Sequence, residues 1–228
     1  SKVPKGKRIG YMVKSGREIR KKIAKTAESL LFLKNKEALV YNVNTKQLKK
    51  MDIEVYSFVQ DLCSRNSGLL ESEWMKDSTV VISGCGSVGS LVAVQLARSG
   101  VGNMVLCDPD CLEIHNVCRH QLDISAIGRR KVDAVAEKIK LINPDINIKV
   151  FPKKFQDVPI GDYCDLIKSK DKTLFVGTCD NRAGNALVCQ MADELGVAFA
   201  ALGFLLRAAV AEIYTMIPGE LTYGTVFK

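Results

Sequence analysis

The spacing of apolar residues changes character along this chain. Before about residue 60 the pattern is sparse. Arg17 to Leu31 sets Ile19, Ile23 and Leu30 at helical intervals among basic residues and predicts a helix, Ala38 to Val43 predicts a strand, and Asn42 to Thr45 predicts a turn. From Thr79 onward the pattern is dense and alternates. Short β-branched, fully apolar runs predict strands at Thr79–Ser83, Asn103–Cys107, Ile146–Phe151, Thr173–Gly177, Val197–Leu202 and Ala208–Met216. Helical spacing falls between them, at Leu91–Arg98, from Ile127 to Ile142 where Asn143-Pro144 stops it, and at Ala183–Leu195. Fully apolar strands alternating with helices predict an α/β fold, Rossmann-like, with a mainly parallel sheet covered by helices on both faces. The same division predicts a basic N-terminal appendage over residues 1–60 and a main domain over 61–228.

Glycines punctuate the first strand–helix junction. Gly84-Cys85-Gly86-Ser87-Val88-Gly89 is a G-x-G-x-x-G that follows a predicted strand and opens a predicted helix. In that setting Gly84 permits the tight turn, Gly86 admits a phosphate close to backbone, and Gly89 lets the helix pack on the strand. The free N–H groups and positive end of the helix dipole suit an anion. Asp108 follows Gly89 at about the interval expected of a ribose-binding acid closing the second strand. Beyond it come Asn116, Arg119 and His120, then Gly128-Arg129-Arg130-Lys131, then Asp180-Asn181 after the fourth strand. Hydride transfer has no need of so many cations, whereas a triphosphate does. A carboxylate such as Asp180, at the end of a parallel strand, is placed to hold Mg²⁺.

Charge and cysteines narrow the setting. The net charge is +8, but residues 1–50 hold 15 Lys and Arg against 3 acids, about +12, which leaves the rest about −4. That asymmetry argues against a nucleic-acid binder and fits either a solvated face or a dock for an acidic partner. None of the eight cysteines forms a C-x-x-C pair, and several sit in apolar runs, which points to a reducing, cytoplasmic setting. The basic start, Ser1 to Arg8, has no apolar signal core, and no apolar run approaches the ~18 residues of a membrane span. His115 and His120 lack ligand spacing and read as local hydrogen-bonding residues. Trp74 reads as packing against the sheet.

Taken together, the glycine loop, the D-x-D of Asp108 and Asp110, the N-x-x-R of Asn116 and Arg119, the G-x-x-K ending at Lys131, Asn143-Pro144 and the Asp180-Asn181 pair resemble the ubiquitin-activating enzyme superfamily. Its bacterial members include the ThiF and MoeB adenylyltransferases. The resemblance covers about Arg65 to Tyr214, and Cys63 to Leu69 through His120 looks most like bacterial members associated with ubiquitin-conjugation-like machinery. It implies ATP- and Mg²⁺-dependent adenylation of the C-terminal carboxylate of a ubiquitin-like protein, sulfur carrier or peptide. It implies that Gly84, Gly86, Gly89, Asp108, Asp110 and Asn181 bind the nucleotide, with Asp108 on the ribose and Asn181 on the adenine side. Asn116 and Arg119 should contact the phosphates, Lys131 should bridge them, and Asp180 should ligate Mg²⁺. Arg65 matches an arginine that reaches across a dimer interface, so a homodimer is expected, with a conjugating enzyme as a further partner.

The chain departs from the family at two points. Its relatives' C-x-x-C pairs are absent, with Tyr223-Gly224-Thr225 where the first would fall, and the crossover cysteine of many relatives would lie beyond the sixth strand. Cys179 and Cys189 have neither the exposure nor the neighbouring base of a thioester nucleophile. Two other readings stay open: an inactive scaffold half of a heterodimeric activating enzyme, and an NAD-dependent oxidoreductase. The first predicts loss of Arg119, Lys131 and Asp180, all of which are present.

Overall fold

The computed structural model describes residues 29–34, 37–42, 47–51, 72–205 and 209–227. Two compact units divide the chain, Ser1–Tyr56 and Ser57–Lys228. In the first, β1 (Ser29–Lys34), β2 (Glu37–Asn42) and β3 (Gln47–Met51) form an antiparallel meander. The predicted helix over 17–31 is therefore wrong at its end, because Ser29–Leu31 is strand; residues 17–28 lie outside the described residues. The apolar run Leu30–Leu33 pairs in register with Ala38–Tyr41, and that ladder outweighs the helical spacing of Ile23 and Leu30. The strand predicted at Ala38–Val43 is β2.

Among the described residues the second unit opens with α1 (Ser72–Asp77) and β4 (Thr79–Ser83). It continues through α2 (Ser87–Arg98), β5 (Asn103–Cys107), α3 (Lys131–Ile142), β6 (Asn147–Phe151), α4 (Ile160–Cys164), β7 (Thr173–Gly177), α5 (Arg182–Leu195), β8 (Ala198–Leu205), β9 (Val210–Met216) and α6 (Tyr223–Val226). The sheet order is β6-β5-β4-β7-β8-β9, with β9 antiparallel and every other pairing parallel. Alternation along the strands feeds two cores. Val80, Ile82, Met104, Leu106 and Val176 pack under α2 and α3, while Val81, Val105, Phe175 and Phe199 pack under α4, α5 and α6. The fold is thus the α/β sheet with helices on both faces that the alternation predicts. No helix among the described residues is long and apolar enough to cross a membrane.

Three local expectations need correction. The helix predicted from Ile127 starts at Lys131, because Gly128 takes a left-handed φ of +81° and residues 127–130 are loop. The strand predicted at Val197–Leu202 is β8, which runs three residues further because its antiparallel pairing with β9 continues to Leu205. Trp74 does not pack on the sheet. It is 43% exposed on α1, and its neighbour Met75 supplies the apolar contact.

Candidate functional site

Strand register brings three loops to one edge of the sheet. Ser83 pairs with Cys107 on one side and Gly177 on the other, so Gly84, Asp108 and Thr178 emerge side by side. The order reverses at β4, where open α/β sheets bind their ligands. Gly84 has φ +94°, and a Cβ there would meet Thr178 O at 2.9 Å. A Cβ on Gly89 would fall 1.9 Å from Gly84 O, so only glycine lets α2 close on the loop. Gly86 differs: nothing lies within 4 Å of its would-be Cβ. It is the N-cap of α2, and no side chain caps the first turn. The end of a twelve-residue helix therefore opens into free space at the loop.

Asp108 is buried and anchors this loop. Its Oδ2 accepts from Cys85 N–H at 2.6 Å and its Oδ1 from Asp110 N–H at 2.8 Å. Each carboxylate oxygen has a second lone pair, so capacity for a sugar hydroxyl remains. Asp110 in turn accepts from Lys131 Nζ at 2.9 Å. Lys131 is nearly buried, and its stem rests within the core side of α3 while its ammonium reaches the loop. Asn116 closes a short 3₁₀ turn through a reciprocal capping box with Glu113. Arg119 is exposed at the end of that turn, its Nη1 donating to His115 O at 3.0 Å.

The opposite wall of the site is built from the end of β7. Thr178 Oγ1 lies 2.8 Å from Gly84 O and 3.0 Å from Ser83 O, which fastens this segment to the glycine loop. Two residues on, Asp180 is exposed, with Oδ1 accepting from Asn181 Nδ2 at 3.1 Å. Asn181 Oδ1 caps α5 by accepting from Gly184 N–H at 2.7 Å. Asn185, buried at the base, accepts from Cys179 N–H at 3.0 Å. Burial pushes the Cys179 thiol up, despite its contact with Ser83 Oγ. Cys179 itself lies just past β7 rather than on it.

The structure thus brings Gly84, Gly86, Gly89, Asp108, Asp110, Lys131, Asp180 and Asn181 to one sheet edge, with the Asn116–Arg119 turn tied to the loop through His120, whose Nε2 contacts Cys85 O at 2.7 Å. Arg65 lies outside the described residues. Thr178 carries no sequence signal, because a lone threonine means nothing until β4 and β7 are neighbours. The donor set suits a polyphosphate: an uncapped helix end, two cations and backbone N–H groups. Among the described residues no three acidic, His or Cys side chains gather to hold a metal. A divalent ion would then take one carboxylate, Asp180, and fill its shell with phosphate oxygens and water, which is the usual habit of Mg²⁺.

The ubiquitin-like modifier-activating enzyme 5 of Bombyx mori is 27% identical over 211 residues, 89% of this chain and 53% of that protein. The tRNA threonylcarbamoyladenosine dehydratase of Bacillus subtilis (strain 168) is 46% identical over 78 residues, 33% of this chain and 30% of that one. Among solved structures, E. coli MccB with ATP shares the fold, with a TM-score of 0.57 and 23% identity over 73% of this chain and 52% of that chain. The chain spans about half the length of the ubiquitin-like modifier-activating enzymes it matches. The ThiF family model matches residues 61–219, which takes in the glycine loop, both acidic loops and the end of β7. The chain belongs to the ThiF family, within the ubiquitin-activating enzyme superfamily.

Proposed function

We propose that this chain adenylates the C-terminal carboxylate of a ubiquitin-like protein, sulfur carrier or peptide, with ATP as co-substrate and Mg²⁺ as cofactor. The observation that carries this reading is the convergence of the open α2 N-terminus, Lys131 and the exposed Asp180 carboxylate on one sheet edge. The names of the relatives, an activating enzyme for ubiquitin-like modifiers among them, support it. Asp108 would hold the ribose, Asn181 the adenine side, and Asn116, Arg119 and Lys131 the phosphates. Mg²⁺ on Asp180 would neutralise phosphate charge.

The substrate carboxylate is already ionised near neutral pH, so no base is needed to activate it. It attacks the α-phosphorus, the bond to the β-phosphate oxygen breaks, and pyrophosphate departs with the electron pair. What the protein contributes is placement and charge stabilisation. A scaffold half with no catalysis has little need of Arg119, Lys131 and Asp180 together.

A homodimer belongs to the same reading, with Arg65 delivered by the second copy. Phe204 and Ile213, 61% and 72% exposed on one face of the β8–β9 pair, support a protein contact there. The excess positive charge of residues 1–50 supports an acidic protein partner in the cytoplasm, a conjugating enzyme among the candidates. Calorimetry with ATP and NAD, with and without Mg²⁺, tests the assignment. Mg²⁺-dependent ATP binding tighter than NAD binding is expected, and equal or tighter NAD binding overturns it.

A further inference from the structure

Cys85, in the glycine loop, is held at both of its backbone polar groups. Its N–H donates to Asp108 Oδ2 at 2.6 Å, and its carbonyl lies 2.7 Å from His120 Nε2. His120 is buried, and it closes the phosphate-side turn as well: its own N–H and that of Arg119 both donate to Asn116 O at 3.0 Å. The residues that follow are stapled to neighbouring helices. Gln121 N–H donates to Ser90 Oγ of α2 at 3.4 Å, and Lys138 of α3 donates to Gln121 O.

These contacts determine where the ring proton sits. Nδ1 faces the N–H of Leu122 at 3.1 Å, so it must accept. Nε2 faces a carbonyl, so it must donate. Only the neutral Nε2–H tautomer satisfies both. Burial holds the His120 pKa below its ordinary 6.5, Lys131 and Lys138 on α3 push the same way, and the Cys85 carbonyl and Asp108 oppose them. Protonation would set a second N–H against that of Leu122 and break the staple.

We propose that His120 is a positioning residue, which in its neutral form locks the Asn116–Arg119 turn to the glycine loop and orients the loop's phosphate-facing N–H groups. The planar peptide explains the second part: fixing the Cys85 carbonyl fixes the Gly86 N–H in the same plane, at the start of the open helix end. The role rests on the adenylation reading for its purpose, but its geometry can be tested without it.

The full chain is titrated with Mg·ATP by calorimetry from pH 5.5 to 8, as wild type, His120→Gln, His120→Ala and His115→Asn. Gln offers an N–H to the Cys85 carbonyl and does not titrate. The terminal phosphate of ATP itself titrates near pH 6, so the difference between wild type and His120→Gln is the readout. Wild type should lose affinity on acidification about fivefold or more beyond His120→Gln, His115→Asn should follow wild type, and His120→Ala should be about tenfold weaker at pH 7.5. Hydrogen exchange without nucleotide provides the second arm. In His120→Ala, peptides spanning 84–90 and 116–122 should lose protection together, and His120→Gln should retain it in both. Absence of ATP binding by wild type removes the adenylation reading, and the exchange arm still decides the role of His120. Unchanged exchange in His120→Ala overturns the proposal, as does a His120→Gln pH profile that matches wild type. If His120→Ala does not fold, the wild-type and His120→Gln profiles and exchange decide.

Discussion

Lys131 is joined to Asp110 twice: Nζ donates to Oδ2 at 2.9 Å, and the Lys131 N–H donates to the Asp110 carbonyl at 2.9 Å. The two side chains differ in setting, Lys131 being 11% exposed and Asp110 63%. The acid can therefore swing into solvent while the lysine stays at the mouth of the site. Lys131→Met keeps the buried stem and removes the charge. Adenylation should fall about 10²-fold or more, with thermal unfolding shifted by only a few degrees. Asp110→Asn keeps a neutral acceptor beside the ammonium, so it should cost about 1 kcal/mol or less in stability and affect the rate less than Lys131→Met does. Steady-state rates beside melting curves separate the two effects.

The second and third glycines of the loop should behave in opposite ways when changed to alanine. At Gly89 the new methyl would meet the backbone carbonyl of Gly84 at 1.9 Å, with Thr178 Oγ1 at 2.6 Å. A loss of at least about 3 kcal/mol is expected, at or beyond the upper end of overpacking costs. At Gly86 the methyl meets nothing within 4 Å, and φ is −74°. Gly86→Ala should melt near wild type but bind ATP more weakly, because the space it fills is the space a phosphate needs. Paired melting and calorimetry check both halves.

Thiol chemistry should follow burial. Burial raises the thiols of Cys85, Cys179 and Cys189, and pushes Cys107 up to about 12. Cys189 is further occupied in accepting from Tyr223 N–H at 3.2 Å. Raised pKa values keep these groups protonated at pH 8, where the thiolate is the reactive form. Iodoacetamide at pH 8 with peptide mass spectrometry should therefore label the exposed Cys111, Cys118 and Cys164 well before Cys85, Cys107, Cys179 and Cys189. Early labelling of Cys179 would contradict the placement of its sulfur against Ser83 Oγ.

The parts of this fold that could be read from the sequence are those whose own residues decide them. Thr79–Ser83, Asn103–Cys107 and Thr173–Gly177 match their strands to the residue, because each is a short apolar run buried on both sides and bounded by breakers. Gln47–Met51 gave no such signal; it is mostly polar, and its strand character comes from pairing with β2. Apolar spacing predicts the helix at Lys131 four residues early because Ile127 continues it, while the left-handed Gly128 that interrupts it is invisible to periodicity. The same division applies to the site. Asp108, Lys131 and Asp180 stand out by type and spacing. Thr178 became visible only when the sheet order placed β7 against β4. His120 was legible as a hydrogen-bonding residue, but not as the link between two loops.

Carboxylate-dependent adenylation, the proposed activity, is read out by ATP–pyrophosphate exchange. Labelled pyrophosphate is incubated with ATP, Mg²⁺, the full chain and a panel of ubiquitin-like proteins, sulfur carriers and peptides with free C-termini. Label should enter ATP only when Mg²⁺ and an accepted C-terminal carboxylate are both present. Asp180→Ala should reduce the exchange rate by about 10²-fold or more, the scale set by loss of one transition-state charge contact, with the fold intact by circular dichroism. Exchange at near wild-type rate in Asp180→Ala would show that the carboxylate is structural. Failure of every carboxylate to support exchange, by a chain that binds NAD as tightly as ATP, would contradict the account as a whole.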